Sequence, residues 1–287
     1  MLNPAQIDAF ERRGFLALPG LIPADLLARL QALFDRALVP GQAADQLVTM
    51  AGGHSFVTNL DLLCIKDDLS CLELLGLPPI LEIAQTLCGD DFFPIQEWAV
   101  IKHLGDEQSV LWHQDMVHGR SGTCFTMGIY LDDAAPGDGA LQVIEGSHRD
   151  GRDICALQDQ PYVEVPMQAG DVLIHDMMLA HGSEPLRANA IRRVIYIEFL
   201  SAAHVAREDI YSAELVARRT RLIHAATRHR ARQCPRESGF NPPLPNPVST
   251  DVDRPVIEIL EEIYAEPIKA RPSSYCVNGS PTFACLD

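Results

Sequence analysis

GDVLIHDMMLAHGSEPLRANAIRRVIYIEFL, residues 170–200, decides how the chain folds. Two short apolar runs rich in Val, Ile and aromatic residues flank the polar stretch HGSEPLRANA (181–190). Runs of that length, bounded by turn residues, read as strands rather than helices. The first opens on the Gly170-Asp171 turn and is expected to run as one strand to His181. The second, RRVIYIEFL (192–200), is expected to return antiparallel beside it. Outward from this pair the same character recurs in FFPIQEWAVIKH (92–103), SVLWHQD (109–115), CFTMGIYL (124–131), GALQVIEG (139–146) and YVEVPM (162–167). Turn-rich segments such as DDAAPGDG (132–139) and SHRDGRD (147–153) separate them. Many short strands with turns between them predict a sandwich or barrel.

The N-terminal part is different. PAQIDAFERRG (4–14) is a helix stopped by Gly14, FLALPGLI (15–22) a broken strand, and PADLLARLQALFDRAL (23–38) a helix with leucines at helical spacing. PPILEIAQTLCG (78–89) is a further helix, and residues 40–75 are expected to be loops with a little helix. Beyond residue 202 the pattern predicts a helix near 206–232, the Pro-rich loop FNPPLPNP (240–247) and a short helix over 253–266. The expectation is one domain over 1–287, mainly β with flanking α-helices. Residues 1–90 give helical support, 91–202 form the β core, and 203–287 are a helical and loop extension placed to act as a lid.

Composition narrows the function. A net charge of −16 disfavours a nucleic-acid partner, since a phosphate backbone requires a basic surface. The basic cluster at residues 218–232 reads as the solvated face of a helix, with an anion-binding lid as the sharper alternative. No run of apolar residues is long enough to span a membrane, and the first residues lack a signal-peptide core, so a cytoplasmic protein is expected. The eight cysteines form no CxxC pair and are expected to be reduced, several of them as small core residues.

The chemistry gathers at four points. In LWHQDM (111–116), His113 and Asp115 are two apart, and on a strand such residues face the same way. His181 ends the run that begins at Gly170. Two histidines and one carboxylate with open positions form the facial triad of non-haem iron(II) oxygenases. Arg192 lies eleven positions beyond His181, deeper along the barrel. There its planar fork suits the distal carboxylate of an iron-chelating 2-oxoglutarate. Ser183 adds a hydroxyl, and strand alternation turns Arg193 the other way.

These residues carry a resemblance. GFLALPGLIPADLLARL (14–30), WHQD (112–115), YLDDAAPGDGALQVIEGSHR (130–149) and GDVLIHDMMLAHGSEPLRANAIRR (170–193), in this order, resemble the phytanoyl-CoA dioxygenase family, which includes ectoine hydroxylase. The resemblance implies a double-stranded β-helix (jelly-roll, cupin-like) core. It also implies iron(II) on His113, Asp115 and His181, and 2-oxoglutarate on Arg192 and Ser183. Gln96 and Lys102 sit where family members place co-substrate contacts. The retained Asp115 favours hydroxylation or another oxidation over halogenation, whose enzymes replace that carboxylate with a small residue. The implied partners are a small-molecule substrate and O2; the substrate and the oligomeric state stay open. The competing reading is a non-redox metal enzyme or binding protein on the same fold, which would have no need of Arg192 and Ser183 as a carboxylate clamp. His175 reads as a neighbour of the ligands, His148 as structural, His118 and Arg120 as loop residues near substrate or in solvent, and Trp98 and Trp112 as core or pocket wall.

Overall fold

The computed structural model describes residues 2–41, 45–66, 68–115, 122–268 and 271–284. Helix α1 (Pro4–Arg13) starts at Asn3, whose side chain accepts from the Gln6 N–H while the Gln6 side chain accepts from the Asn3 N–H. It ends at Gly14, at φ +84, where a Cβ would also lie 2.5 Å from the His148 ring. Strand β1 (Phe15–Leu18) and helix α2 (Ala24–Ala37) follow as their sequences imply. Residues 40–75 depart from expectation: they contain strands β2 (Gln46–Ala51) and β3 (His54–Leu60), then helix α3 (Ser70–Leu75). β2 is an edge strand with Leu47, Val48 and Met50 exposed, so no buried stripe imposes an apolar alternation that the sequence would reveal.

After α4 (Pro78–Cys88) the core strands are β4 (Phe92–His103), β5 (Val110–Gln114), β6 (Phe125–Tyr130) and β7 (Leu141–Val143). The short helix α5 (Ile154–Leu157) leads to β8 (Val163–Val165), β9 (Val172–Asp176), β10 (His181–Ser183) and β11 (Ile191–Ser201). Then come helices α6 (Ala202–Arg207), α7 (Ala213–Gln233) and α8 (Val256–Tyr264), and strands β12 (Ser273–Val277) and β13 (Ser280–Ala284). Two antiparallel sheets result. The larger has the order β1-β9-β6-β11-β4-β3-β2 and the smaller β13-β12-β5-β10-β7-β8. Their inner faces meet through Tyr130, Leu173, Val194 and Tyr196 of the large sheet and Leu141, Val143 and Val165 of the small one. On the outer face of the large sheet, Ile101, Met127, Ile129, Ile195 and Ile197 pack under the helices. This is the expected double-stranded β-helix with flanking helices.

The decisive stretch itself is divided differently from its reading. Residues 172–181 are not one strand: β9 pairs with β1 and β6 in the large sheet, and β10 lies between β5 and β7 in the small one. The apolar run conceals the crossing because Met177, Leu179 and Ala180 are buried there too. Nor is β11 the hairpin partner of β10; it lies between β4 and β6 in the opposite sheet.

The C-terminal extension is also more than helix and loop. β12 adds to the small sheet beside β5, with Tyr275 opposite His113, and β13 completes a hairpin. Asn278-Gly279 makes its turn with φ of 51 and 76, the sequence signal of a tight hairpin. Cys155 and Cys276 are joined in a disulfide, contrary to the expectation of reduced thiols throughout. Cys64, Cys71 and Cys124 are buried as small core residues.

The arginine-rich helix is neither a solvated face nor an anion lid. Arg219 is fully buried, bonded to Glu97 and the Pro94 carbonyl. Arg230 pairs with Glu73 and Glu237, and Arg221 with Asp251 and Glu262. These pairs dock α7 onto β4, α3 and α8. Removing one partner of a buried pair strands the other charge at a cost of about 3–5 kcal/mol, whereas an exposed pair contributes under about 1 kcal/mol. Urea denaturation should therefore show a large loss of stability for Arg219→Met and a small one for Arg218→Ala, whose partner Glu266 is exposed. Equal losses would contradict this account of the helix.

Candidate metal centre

The register of β5 against β10 sets His113 directly opposite His181, with ring centroids 4.0 Å apart. Strand alternation brings Asp115, just past β5, to the same side. One donor atom from each of the three lies within 4.8 Å of the others, and all three residues are buried. The two imidazoles are oriented alike. His113 Nδ1 lies 2.8 Å from the Leu111 carbonyl and His181 Nδ1 2.8 Å from the Leu179 carbonyl. A carbonyl only accepts, so each Nδ1 carries the proton and each Nε2 presents its lone pair to the centre. Gly182 is required between them, because a Cβ there would lie 2.9 Å from the Val110 carbonyl oxygen across the strand pair.

Asp115 is held from several sides. Its Oδ1 is 3.3 Å from His113 Nε2, and its Oδ2 is 3.9 Å from His181 Nε2. That Oδ2 also takes a hydrogen bond from the Thr126 hydroxyl at 3.3 Å and lies 3.3 Å from His175 Nε2. Burial alone would raise the Asp115 carboxyl; its neighbours, His181 first and the His175 hydrogen bond among them, outweigh it and hold the group well below the usual carboxylate range. Burial, with His113, pushes His181 well below the usual imidazole range despite Asp115. An ionised carboxylate beside a neutral imidazole is the protonation state that metal ligands need. His175, read as a neighbour of the ligands, is thus the support of one.

The large sheet supplies the rest of the cavity wall. Across β9, β6, β11 and β4 the pairing sets His175, Thr126, Glu198 and Gln96 in one row, and Leu173, Gly128, Tyr196 and Trp98 in the next. Arg192 lies farther along β11 on the same face. Its guanidinium reaches back to the Tyr196 hydroxyl at 3.3 Å and stands over the Tyr130 ring at 5.5 Å. The residue is 1% exposed, its Nε has no hydrogen-bond partner, and no carboxylate among the described residues pairs with it. Burial works against its charge, but Tyr196 and Tyr130 sustain it. A buried cation without a counter-ion among the described residues, on the cavity face of β11 with its guanidinium reaching back toward the metal row, fits one end of a dicarboxylate chelated at the other. Arg193 faces outward, as alternation requires, onto Asp132 and Asp35.

The other candidates divide. Ser183 is buried two residues past His181. Lys102 stands opposite Arg192 in register, but its ammonium lies within 2.7–3.1 Å of the carbonyls of Gln108, Ser183 and Glu184. Three acceptors use its three protons, so it ties β4 to the strand carrying Ser183 and leaves none for a co-substrate. Burial and the neighbouring Arg192 lower its pKa to about 7. Gln96 is half-buried on the cavity face. Trp98 stacks on Tyr196, Trp112 meets Tyr162 edge-on, and His148 hydrogen-bonds the Glu11 carbonyl. His118 and Arg120 lie outside the described residues. Tyr196, four residues from Arg192, was findable by strand parity; Thr126 had no local signal, because only the register of β6 brings it to Asp115.

Loss of a hydrogen bond to a metal ligand typically lowers metal affinity about 10–100-fold. Chelator competition under anaerobic conditions should show that loss for iron(II) in His175→Phe, and unchanged affinity would contradict the supporting role of His175.

The comparisons agree with this geometry. The model of the phytanoyl-CoA dioxygenase family matches residues 10–194, which include the triad and Arg192. No curated protein matches by sequence. Among solved structures, EvdMO1 is 31% identical with a TM-score of 0.62, over 69% of this chain and 50% of its own, so the chain spans half of EvdMO1's length. AviO1 from Streptomyces viridochromogenes Tue57 is 28% identical, TM-score 0.61, over 70% of this chain and 95% of its own. EctD from S. alaskensis, solved with 2-oxoglutarate and 5-hydroxyectoine, is 21% identical, TM-score 0.61, over 71% of this chain and 77% of its own; that likeness shows the fold. The family and the donor set agree on iron(II) and 2-oxoglutarate as the cofactors. By the extent of the match and the residues within it, the chain belongs to the phytanoyl-CoA dioxygenase family.

Proposed function

We propose that the chain is an oxygenase that hydroxylates, or otherwise oxidises, an unactivated C–H bond of a small organic molecule, consuming O2 and 2-oxoglutarate and releasing succinate and carbon dioxide. His113, Asp115 and His181 would hold iron(II), and Arg192 the distal carboxylate of 2-oxoglutarate with help from the Ser183 hydroxyl. When bound, the metal and co-substrate supply the oxidising power; the protein orients them and keeps water out. His175 and Thr126 orient Asp115, and Lys102 secures the strand carrying Ser183. Gln96, beside Glu198 in the metal row, would meet either the co-substrate or the substrate.

The observation that carries this reading is Arg192, a buried cation facing the metal cavity with no carboxylate of the described chain to neutralise it. A metal-binding protein without a dicarboxylate ligand gains nothing from that expense of desolvation. Asp115 favours oxygenation over halogenation, since it keeps the carboxylate that a halide would replace. The 5-hydroxyectoine present with 2-oxoglutarate in the EctD structure accords with a small organic molecule as the ligand class here as well.

Anaerobic addition of iron(II) and 2-oxoglutarate should produce the visible charge-transfer band of the chelate. Arg192→Leu should weaken 2-oxoglutarate binding about 100-fold, the result of losing a desolvated charge pair worth about 3 kcal/mol, while leaving iron(II) affinity unchanged. No band in the wild type, or an undiminished affinity in Arg192→Leu, would refute the reading.

A further inference from the structure

The family match ends at residue 194, yet the metal centre is not finished there. β12 brings Tyr275 opposite His113, and the two rings stack with centroids 4.9 Å apart and planes at 14°. His181 approaches the same imidazole at 4.0 Å and 50°. The bond from His113 Nδ1 to the Leu111 carbonyl fixes one atom of the ring but does not by itself stop it from tilting about that contact. A parallel aromatic face does.

The strand carrying Tyr275 has little else to hold it. Its pairing with β5 is limited to two residue pairs, Ser274 with Gln114 and Tyr275 with His113. β13 beyond it is an edge strand. The next residue, Cys276, is bonded to Cys155 of α5, and the Gln158 side chain lies 3.2 Å from its sulfur. α5 is seated in turn: Ile154 and Leu157 pack with Ile144 and Ala180, beside Trp112 of the metal strand.

We propose that Tyr275 is a positioning residue of the metal centre: its ring fixes the plane of the His113 imidazole, and the Cys155–Cys276 disulfide fixes the strand that presents it. This inference rests on the oxygenase reading above and assigns the C-terminal extension a part in the site. The family's matched segment supplies the ligands, and the extension supplies the surface against which one of them is aligned. An aromatic contact of this kind contributes about 0.5–1.5 kcal/mol, small for folding but sufficient to govern the orientation of a single ring.

The test uses the full chain with its disulfide intact, loaded with iron(II) and 2-oxoglutarate. It reads the chelate band anaerobically and then the rate of succinate formation in air without added substrate. Tyr275→Phe keeps the ring face and should keep the band and a rate within about twofold of wild type. Tyr275→Leu fills similar space without a ring; it should shift the band and slow succinate formation about tenfold at unchanged iron stoichiometry. Cys155→Ser, which leaves every side chain at the metal unaltered, should move both readouts in the same direction as Tyr275→Leu. A Tyr275→Leu protein with the wild-type band and rate would overturn the proposal, as would Tyr275→Phe falling as far as Tyr275→Leu. An unaltered Cys155→Ser protein would overturn the role given to the disulfide. These outcomes leave the oxygenase reading standing, whereas a wild type without the band would remove both.

Discussion

The antiparallel register of β5 and β10 places His113 opposite His181, and the rest of the site depends on it. A slip of one residue would send an imidazole to the outer face of the small sheet and separate it from Asp115. Several features hold that register. Gly182 allows the strands their close approach. The bonds from each Nδ1 to a carbonyl two residues back orient both rings the same way. Lys102, reaching from the large sheet to the carbonyls of Ser183 and Glu184, secures the end of β10.

The two sheets divide the work. The small sheet carries the triad, and the large one carries His175 and Thr126, which bond Asp115, and Arg192, which on the proposed function would meet the co-substrate at the far end of the cavity. The division follows from the sandwich. Metal ligands must come from neighbouring strands to converge, whereas a dicarboxylate lying across the cavity is best gripped from the facing sheet. Concentrating charge in a buried space is costly: Arg219 is paired with Glu97, Lys102 is bonded to three carbonyls, and Arg192 is left without a carboxylate among the described residues.

Much of this was legible in the chain itself. Period-two alternation fixed the faces of His113 and Asp115 and the opposed directions of Arg192 and Arg193, because those relations are local. Relations that depend on which strands meet were not legible. The apolar run from Val172 to His181 conceals a crossing between sheets, since buried residues fill the crossing as fully as the strands. Tyr275 reaches His113 only through a pairing between segments far apart in sequence, and its one local signal, Asn278-Gly279, marks a hairpin without naming its neighbour. The arginines of α7 looked solvated because their partners, Glu73, Glu97, Asp251 and Glu262, are scattered through the chain.

The central claim is that His113, Asp115, His181 and Arg192 form a centre that couples O2 to the oxidation of 2-oxoglutarate. Isotope analysis of the succinate formed by the iron-loaded protein under 18O2 tests it most directly. The account predicts one 18O atom in the new carboxylate of each succinate, lost together with turnover in His181→Ala. Succinate without label, or 2-oxoglutarate left unconsumed by the wild type, would contradict it.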